Sequence, residues 1–275
     1  WPFWMDFYLE TLRCNPEVHW RFYTDCGVPP NAPPNATFIE SSYQQYQGEV
    51  CRKLGIQFDP SRVYKLCDIK PAYGYLHADE IGGYDYWAFA DIDVIYGDLL
   101  ACLSPAMLRH QLISFHGRRV SGHLCLVSNT EFGRNAFMAV PGWRASFENP
   151  QHTSFDEKAF SELFMRHKNW PRWLRRLVYW RNPYMRQAYF HEAYSTSFAR
   201  IPWEDGSYDF PQRWQWQGGQ LSCDKATTCQ FPYMHFIEWK KTWKGRDEAS
   251  LVQGDCQRIG EGFEVTKDGF RVLAG

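Results

Sequence analysis

Several features are scarce or missing in this sequence, and each absence excludes a class of protein. No run of about eighteen apolar residues occurs, so the sequence predicts no membrane-spanning helix, and no signal peptide is visible. The formal net charge is −1, which argues against a nucleic-acid-binding protein. There is no internal repeat and no low-complexity segment, which argues against a repeat architecture.

The cysteines show no pairing pattern. There are nine, an odd number, and no CxxC motif occurs among them. Cys67, Cys102 and Cys125 lie within apolar runs, whereas Cys223 and Cys229 form a close pair in a polar loop. We therefore expect a reduced, cytosolic protein rather than a disulfide scaffold.

What the chain does have is apolar and aromatic material. It has 275 residues, of which 44% are hydrophobic and 18% aromatic, enough to bury a substantial core in one large domain or two small ones. We predict a single domain, 1–275, with a soft boundary near residue 150 and a C-terminal elaboration. The chain opens at Trp1 without an initiator methionine, and we expect further residues upstream.

Local patterns predict helices alternating with strands in the first half of the chain. This alternation indicates an α/β class with a sheet that becomes mixed in its later strands. The chain ends in a hairpin around Asp268-Gly269. The predicted helices are 4–14, 43–55, 65–77, 104–111 and 154–167, and the predicted strands are 20–27, 37–41, the run from residue 84, 112–117 and 122–129.

The run "YDYWAFADIDVIYGDLL" (84–100) contains two carboxylates, Asp91 and Asp93, inside an otherwise apolar strand. If the strand continues through them, both point to one face. If it ends there, they lie at its carboxyl edge, where open α/β sheets bind ligands. Unpaired buried carboxylates cost several kcal/mol each, and a hard divalent cation such as Mg²⁺ or Mn²⁺ removes that cost. The alternative is a water-exposed Asp pair that caps a turn.

An apolar strand followed by Asp-x-Asp and further apolar residues resembles the signature of GT-A-type glycosyltransferases, which use nucleotide-sugar donors. The chain is also similar to an uncharacterised bacterial glycosyltransferase family associated with polysaccharide biosynthesis. The resemblance covers roughly residues 1–135 and a short C-terminal motif. It rests on four ordered motifs: "WPFWMDFYLETLRCNPEVHWRFYTDCG", "YKLCDIKPAYG", "GYDYWAFADIDVIYGDL" and "SGHLCLVSN".

The resemblance implies a GT-A-like, Rossmann-type mixed sheet flanked by helices. Residues 1–150 would form the nucleotide-binding half, and 151–275 the acceptor half with an aromatic-rich elaboration. The implied activity is transfer of a hexose from a nucleotide-sugar, commonly a UDP-sugar and alternatively a GDP-sugar, to a glycan or lipid-linked glycan. The implied setting is the synthesis of a bacterial surface polysaccharide, such as capsule or lipopolysaccharide.

The resemblance also implies a metal site. Asp91 and Asp93 would hold a divalent metal and, through it, the donor diphosphate. Late in the chain, "PYMHFIEWKK" matches the His and Lys of related transferases, so His235 would be a further metal ligand. Lys240, or alternatively Lys241, would meet the diphosphate. Imidazole beside carboxylates favours manganese over magnesium. The alternative is a strand with an inward-pointing His followed by a basic surface cluster.

The remaining donor contacts are implied in the same way. Asp25 would lie near the base or ribose, and Asp68 and Lys70 would contact nucleotide or sugar, unless they form an ordinary solvated helix face. "SGHLCLVSN" would lie beside the donor sugar, where Gly122 allows a close backbone approach. His123 is a candidate contact or a structural strand residue.

An inverting enzyme also needs a general base that deprotonates the acceptor hydroxyl. The sequence "SFDEKAF" offers Asp156 and Glu157 at a predicted helix start. Ser154-x-x-Glu157 is also a capping box, which would engage Glu157 and leave Asp156 free. Asp156 is therefore the preferred candidate and Glu157 the second. A retaining enzyme requires neither, and the sequence does not decide the stereochemistry.

We call residues 165–186 the basic segment because Arg, Lys and His alternate there with Trp and Tyr. Such a mixture suits an anionic membrane surface or a lipid-diphosphate acceptor, and equally a basic helix whose apolar face joins the core. A cytoplasmic enzyme that is peripheral at the inner face of the membrane would use it.

Two other functions compete with glycosyl transfer. A carbohydrate-binding domain would suit the 13 Trp, and a nucleotidyltransferase would need a Gly-rich basic loop, which we do not find.

Overall fold

The computed structural model describes residues 1–167, 169–197, 201–203, 205–226 and 230–273, without the side chains of Arg172 and Arg175. The nine α-helices of these ranges are α1 Met5–Arg13, α2 Tyr43–Leu54, α3 Tyr73–Leu76, α4 Glu131–Asn135, α5 Trp143–Glu148, α6 Ser161–Phe164, α7 Arg172–Arg181, α8 Pro183–Arg186 and α9 Ile237–Trp243. The strands are β1 Trp20–Thr24, β2 Ala36–Glu40, β3 Tyr86–Ala90, β4 Val94–Tyr96, β5 Leu112–Ser114, β6 Leu124–Ser128, β7 Ala188–Phe190, β8 Arg213–Gln217, β9 Gln220–Cys223, β10 Tyr233–His235, β11 Val252–Gln253, β12 Phe263–Thr266 and β13 Gly269–Val272.

The α/β class and the mixed sheets predicted from the sequence are confirmed. Helices α1 and α2 and the first strands fall where the apolar periodicity predicts them. The C-terminal hairpin is present, with β12 and β13 antiparallel and Thr266 opposite Gly269. Gly269 has φ +126°, and a Cβ there would lie 2.1 Å from the Leu251 carbonyl oxygen, so this position requires glycine.

Three predicted helices take other forms. The helix predicted over 104–111 is only a short 3₁₀ turn, Met107–Arg109. The helix predicted over 65–77 is a 3₁₀-helix over Val63–Ala72 that continues into α3. In a 3₁₀-helix positions i and i+3 eclipse, which suits the 2.8 Å ion pair between Lys65 and Asp68. The helix predicted over 154–167 begins with a π-helical turn, Asp156–Phe160, and ends with α6.

The chain divides into two compact units. One comprises Trp1–Ser42, Ile92–Leu103 and Ala193–Gly275. It contains the parallel pair β1–β2, the antiparallel pair β4–β10 and a five-stranded sheet of order β11-β13-β12-β8-β9. Alternation along β8 turns Trp214 and Trp216 inward, where both are fully buried. The ring of Trp216 stacks on that of Phe263, with 5.0 Å between centroids.

The other unit comprises Tyr43–Asp91 and Ser104–Glu192. Its sheet has the order β3-β6-β5-β7, with β5–β7 parallel and the other pairs antiparallel. Trp87 and Phe89 of β3 are buried in its core. A Cβ at Gly74 would lie 2.2 Å from Cε2 of Trp87, so α3 approaches the sheet too closely for a side chain there. The division of the single domain into halves at residue 150 stays a prediction.

Within the described ranges, none of the helices is long and apolar enough to cross a membrane. The eight cysteines of those ranges are all free thiols. Cys229, one member of the loop pair considered from the sequence, lies outside the described residues.

Candidate functional site

Asp91 and Asp93 lie where strand β3 ends. Ala90 is the last residue of β3 and pairs with Leu124, and the Asp91 amide still donates to the His123 carbonyl oxygen at 3.3 Å. The chain then bends, and Asp93 directly precedes β4. Of the two arrangements predicted from the sequence, the structure therefore has the second, with the carboxylates at the carboxyl end of a strand.

Asp93 is buried, with 4% of its surface exposed, and it faces the imidazole of His235 and the ammonium of Lys240. Its Oδ1 lies 3.6 Å from Nε2 of His235, and Nζ of Lys240 bonds its Oδ2. Antiparallel pairing of β10 with β4 sets His235 opposite Val94, the neighbour of Asp93. Helix α9 starts two residues after His235 and carries Lys240 back over the site. Nδ1 of His235 lies 3.1 Å from Oγ1 of Thr196, which orients the ring.

These contacts determine the charge of Asp93. Burial by itself would raise the pKa of this carboxyl. The hydrogen bond and charge of His235, with the charge of Lys240, outweigh burial and hold the pKa well below its usual range. Asp93 is therefore a carboxylate at neutral pH, and its burial is compensated by the Lys240 ammonium and the His235 imidazole.

Asp91 is partly exposed and pairs with Lys70. The Lys70 side chain is almost fully buried, and its Nζ donates to Oδ1 of Asp91 and, at 2.9 Å, to the Gly122 carbonyl oxygen. Burial by itself would lower the pKa of the Lys70 ammonium, but the Asp91 carboxylate outweighs it and raises this pKa. Lys70 thus positions Asp91 and ties the end of β3 to the start of the "GHLCLVSN" strand.

Asp91, Asp93 and His235 form a potential set of metal ligands. Only Ile92 separates the two carboxylates along the chain. One oxygen of each and one ring nitrogen of His235 lie within 4.8 Å of one another. Carboxylate oxygens and an imidazole nitrogen are donors that Mn²⁺ accepts. The predicted ligands are thus brought together, and metal binding itself stays a prediction.

Asp156 is a second buried carboxyl, at the first position of the π-helical turn. Burial is the main cause that raises its pKa to about 7; the charges of Glu157 and Asp91 add to it, and Lys70 opposes it. A Cβ at Gly122 would lie 2.7 Å from Oδ2 of Asp156, so the missing side chain makes room for this carboxyl. π-Helical turns occur frequently at functional sites.

Glu157, the second base candidate, has a different environment. Its Oε2 forms a 3.1 Å ion pair with Nη1 of Arg119, and both side chains are about one-third exposed. The capping box expected from the sequence is not what the helix start shows, because Phe155 is the N-cap and makes no side-chain capping bond. Ser154 instead has φ +56°, a left-handed conformation that few non-glycine residues adopt.

Asp68 is fully buried and forms an ion pair with Lys65. Its oxygens accept hydrogen bonds from the Thr153 amide and hydroxyl at 2.7 and 2.8 Å, and from the Phe155 amide at 2.8 Å. It also lies 3.3 Å from Nε2 of His152. Asp68 thereby anchors the loop that leads into Asp156, and its predicted contact with nucleotide or sugar stays a prediction.

The remaining predicted residues are described briefly. Asp25 is exposed and directly follows β1. His123 is buried beside the end of β3. Lys241, the alternative to Lys240, bonds the carboxylate of Glu238 on its own helix and not Asp93. The donor-binding roles of these three residues stay predictions.

Two contributors to the site were missed from the sequence. Thr196 orients the His235 ring, and Arg119 holds Glu157. Both lie in segments without a periodic pattern. Thr196 is 39 residues before His235 in the chain, and Arg119 is 38 residues before Glu157. No local signal distinguishes them from other polar loop residues.

A family of unknown function, DUF6625, matches residues 1–271 of the chain. No curated protein and no solved structure matches the chain.

Proposed function

The chain belongs to DUF6625, a family of unknown function, and from the Asp91–Asp93 site we propose that it is a metal-dependent glycosyltransferase of GT-A type. It moves a sugar from a nucleotide-sugar, preferentially a UDP-sugar, to a glycan or lipid-linked glycan of a bacterial surface polysaccharide. The observation that carries the proposal is the buried carboxylate Asp93, held at the end of a strand between His235 and Lys240. Such an arrangement suits a metal and a diphosphate better than it suits a structural core.

The donor set supports manganese as the metal. Asp91, Asp93 and His235 would hold the ion, which would supply positive charge to the diphosphate leaving group. Lys240 is suited to a second role on the same leaving group. Its side chain is 40% exposed, so its ammonium reaches solvent while it bonds Asp93, and a diphosphate oxygen can accept a hydrogen bond from it.

Asp156 is the proposed general base. A pKa of about 7 gives a carboxylate that both accepts and returns a proton near neutral pH, which is the requirement for base catalysis. Its Oδ2 would accept the acceptor hydroxyl proton. Glu157 is less suited because Arg119 already binds it. A general base of this kind favours an inverting transfer, in which the acceptor oxygen attacks opposite the leaving diphosphate.

Calorimetric titration of UDP and GDP, each with and without Mn²⁺, tests the donor site. We expect one nucleotide to bind tightly in the presence of the metal. Asp93→Asn should weaken this binding by at least about 100-fold, because it replaces a charged ligand with a neutral one. The matched control is Asp85→Asn, which alters an exposed carboxylate in the same stretch and should leave binding unchanged.

The base is tested by slow hydrolysis of a UDP-sugar, in which water replaces the acceptor. Asp156→Asn should lower the rate by about 10²–10⁴-fold at an unchanged nucleotide affinity. If neither nucleotide binds the folded wild type under any condition, the donor site does not exist. The aromatic content then favours the carbohydrate-binding alternative.

A further inference from the structure

Helix α7 has an unusual surface for part of a folded chain. It is ten residues long and contains Trp173, Leu177 and Trp180, yet none of its described side chains is buried. Helices of this length are marginal in water by themselves and depend on burying an apolar face. The described part of the chain leaves these three side chains largely uncovered, at 67%, 53% and 62% exposed.

The three exposed side chains form one face. At about 100° per residue, positions 173, 177 and 180 lie within about 60° of arc. Arg176 and Arg181, both exposed, lie on either side of this stripe. An apolar stripe that carries Trp and is bordered by arginines is the pattern of a helix lying in a membrane interface, where the rings enter the headgroup region and the cations meet lipid phosphates.

The charge of the surroundings identifies the partner. The basic segment contains six arginines and one lysine, and no Asp or Glu. A second copy of the chain docked through the same helix would place these cations against each other, which is unfavourable. A nucleic acid would satisfy the cations but not the apolar stripe. An anionic bilayer satisfies both.

We propose that α7 docks the protein on an anionic membrane surface, with Trp173, Leu177 and Trp180 inserted at the level of the headgroups and Arg176 and Arg181 on lipid phosphates. This is peripheral binding, in which the helix lies parallel to the bilayer plane. The inference does not depend on the proposed transferase activity. A protein without any nucleotide site would still dock in this way. The result of the nucleotide titration therefore does not affect the result expected with membranes.

Co-sedimentation of the whole chain with lipid vesicles tests the proposal. The vesicles are phosphatidylcholine alone and phosphatidylcholine mixed with phosphatidylglycerol. We expect binding to the mixed vesicles only, weakened when the ionic strength rises from about 0.1 M to about 1 M, because the Debye length shortens from about 10 Å to about 3 Å. Equal binding to neutral vesicles, or no binding to either, overturns the proposal.

Two pairs of variants separate the apolar from the charged contribution. Trp173→Ser with Trp180→Ser should weaken vesicle binding by at least about tenfold, whereas Tyr208→Ser, at a residue that is 68% exposed elsewhere on the chain, should not. Thermal melts check that all variants fold.

The charged pair is Arg176→Glu with Arg181→Glu, which should weaken binding by about fivefold for each arginine lost, and further through the added negative charge. Lys244→Glu with Lys267→Glu makes the same change of net charge at exposed positions outside the basic segment and should have little effect. If the Trp173→Ser, Trp180→Ser variant abolishes a dimer in gel filtration and leaves vesicle binding intact, the face is an interface between copies and the proposal is wrong.

Discussion

The buried carboxyl of Asp156 predicts a definite pH dependence of stability. Its pKa is about 7 in the folded protein, against 3.8 for an ordinary Asp, chiefly because burial disfavours the charged form. Between these two pH values the folded protein keeps a proton that the unfolded chain has released. The contribution of Asp156 to stability is therefore fully present below about pH 4 and is lost as the pH rises to about 7.

The size of the effect follows from the same two values. A difference of about three pH units, at 1.36 kcal/mol each, corresponds to about 4 kcal/mol. That is a large part of the 5–15 kcal/mol by which a typical domain is stable. Asp156→Asn has nearly the same shape and no charge, so it should remove this dependence. At pH 8 the variant should be the more stable protein, by up to about 4 kcal/mol.

Urea unfolding of wild type and Asp156→Asn from pH 4 to pH 9 measures the difference directly. The free energy of unfolding of the variant minus that of the wild type should rise with pH by about 1.4 kcal/mol per unit and level off above about pH 7. Asp85→Asn, run in parallel, reports the effect of removing an exposed carboxylate. A difference curve that is flat or falls with pH would refute the reasoning, because Asp156 would then ionise in the folded protein as easily as in the unfolded chain.

Three further substitutions test the packing. Gly74→Ala should destabilise the protein by about 3 kcal/mol in urea unfolding, since the new methyl overlaps the buried ring of Trp87; unchanged stability would show that α3 can shift. Gly48→Ala, in α2 with nothing within 4 Å of the new methyl, should instead stabilise by about 0.5–1 kcal/mol, and a loss would contradict the open space seen there. Asp68→Ala should cost about 3–5 kcal/mol because it leaves the buried ammonium of Lys65 unpaired, whereas a cost below about 1 kcal/mol would mean that this pair is solvated.

Much of the local structure could be predicted from the sequence. The helices α1 and α2, the strands β3 and β6 and the terminal hairpin follow from apolar periodicity and turn residues, which are properties of neighbouring residues. The helix forms over 63–76 and 156–164 could not be predicted. Their 3₁₀ and π turns are stabilised by partners outside the segment, such as the Asp68 carboxylate that binds Thr153 and Phe155.

The candidate site, too, could be predicted from the sequence only in part. That two carboxylates follow an apolar strand is visible in the sequence, since it depends only on residues 84–93. That Asp93 is buried against His235 and Lys240, the latter 147 residues away, was only implied by resemblance and is given by the pairing of β4 with β10. The pKa of Asp156 had no signal at all in the sequence. It arises from burial beside Gly122, and burial is a property of the packed chain.

By itself, the sequence determined the α/β class, the position of the carboxylate pair and the acid-free character of the basic segment, because each is set by the order of neighbouring residues. Only the tertiary structure decided which cations meet those carboxylates, which carboxyl is kept protonated near neutrality and which face of α7 remains uncovered. These depend on distances, desolvation and exposure, which come into existence when segments far apart in the chain pack together.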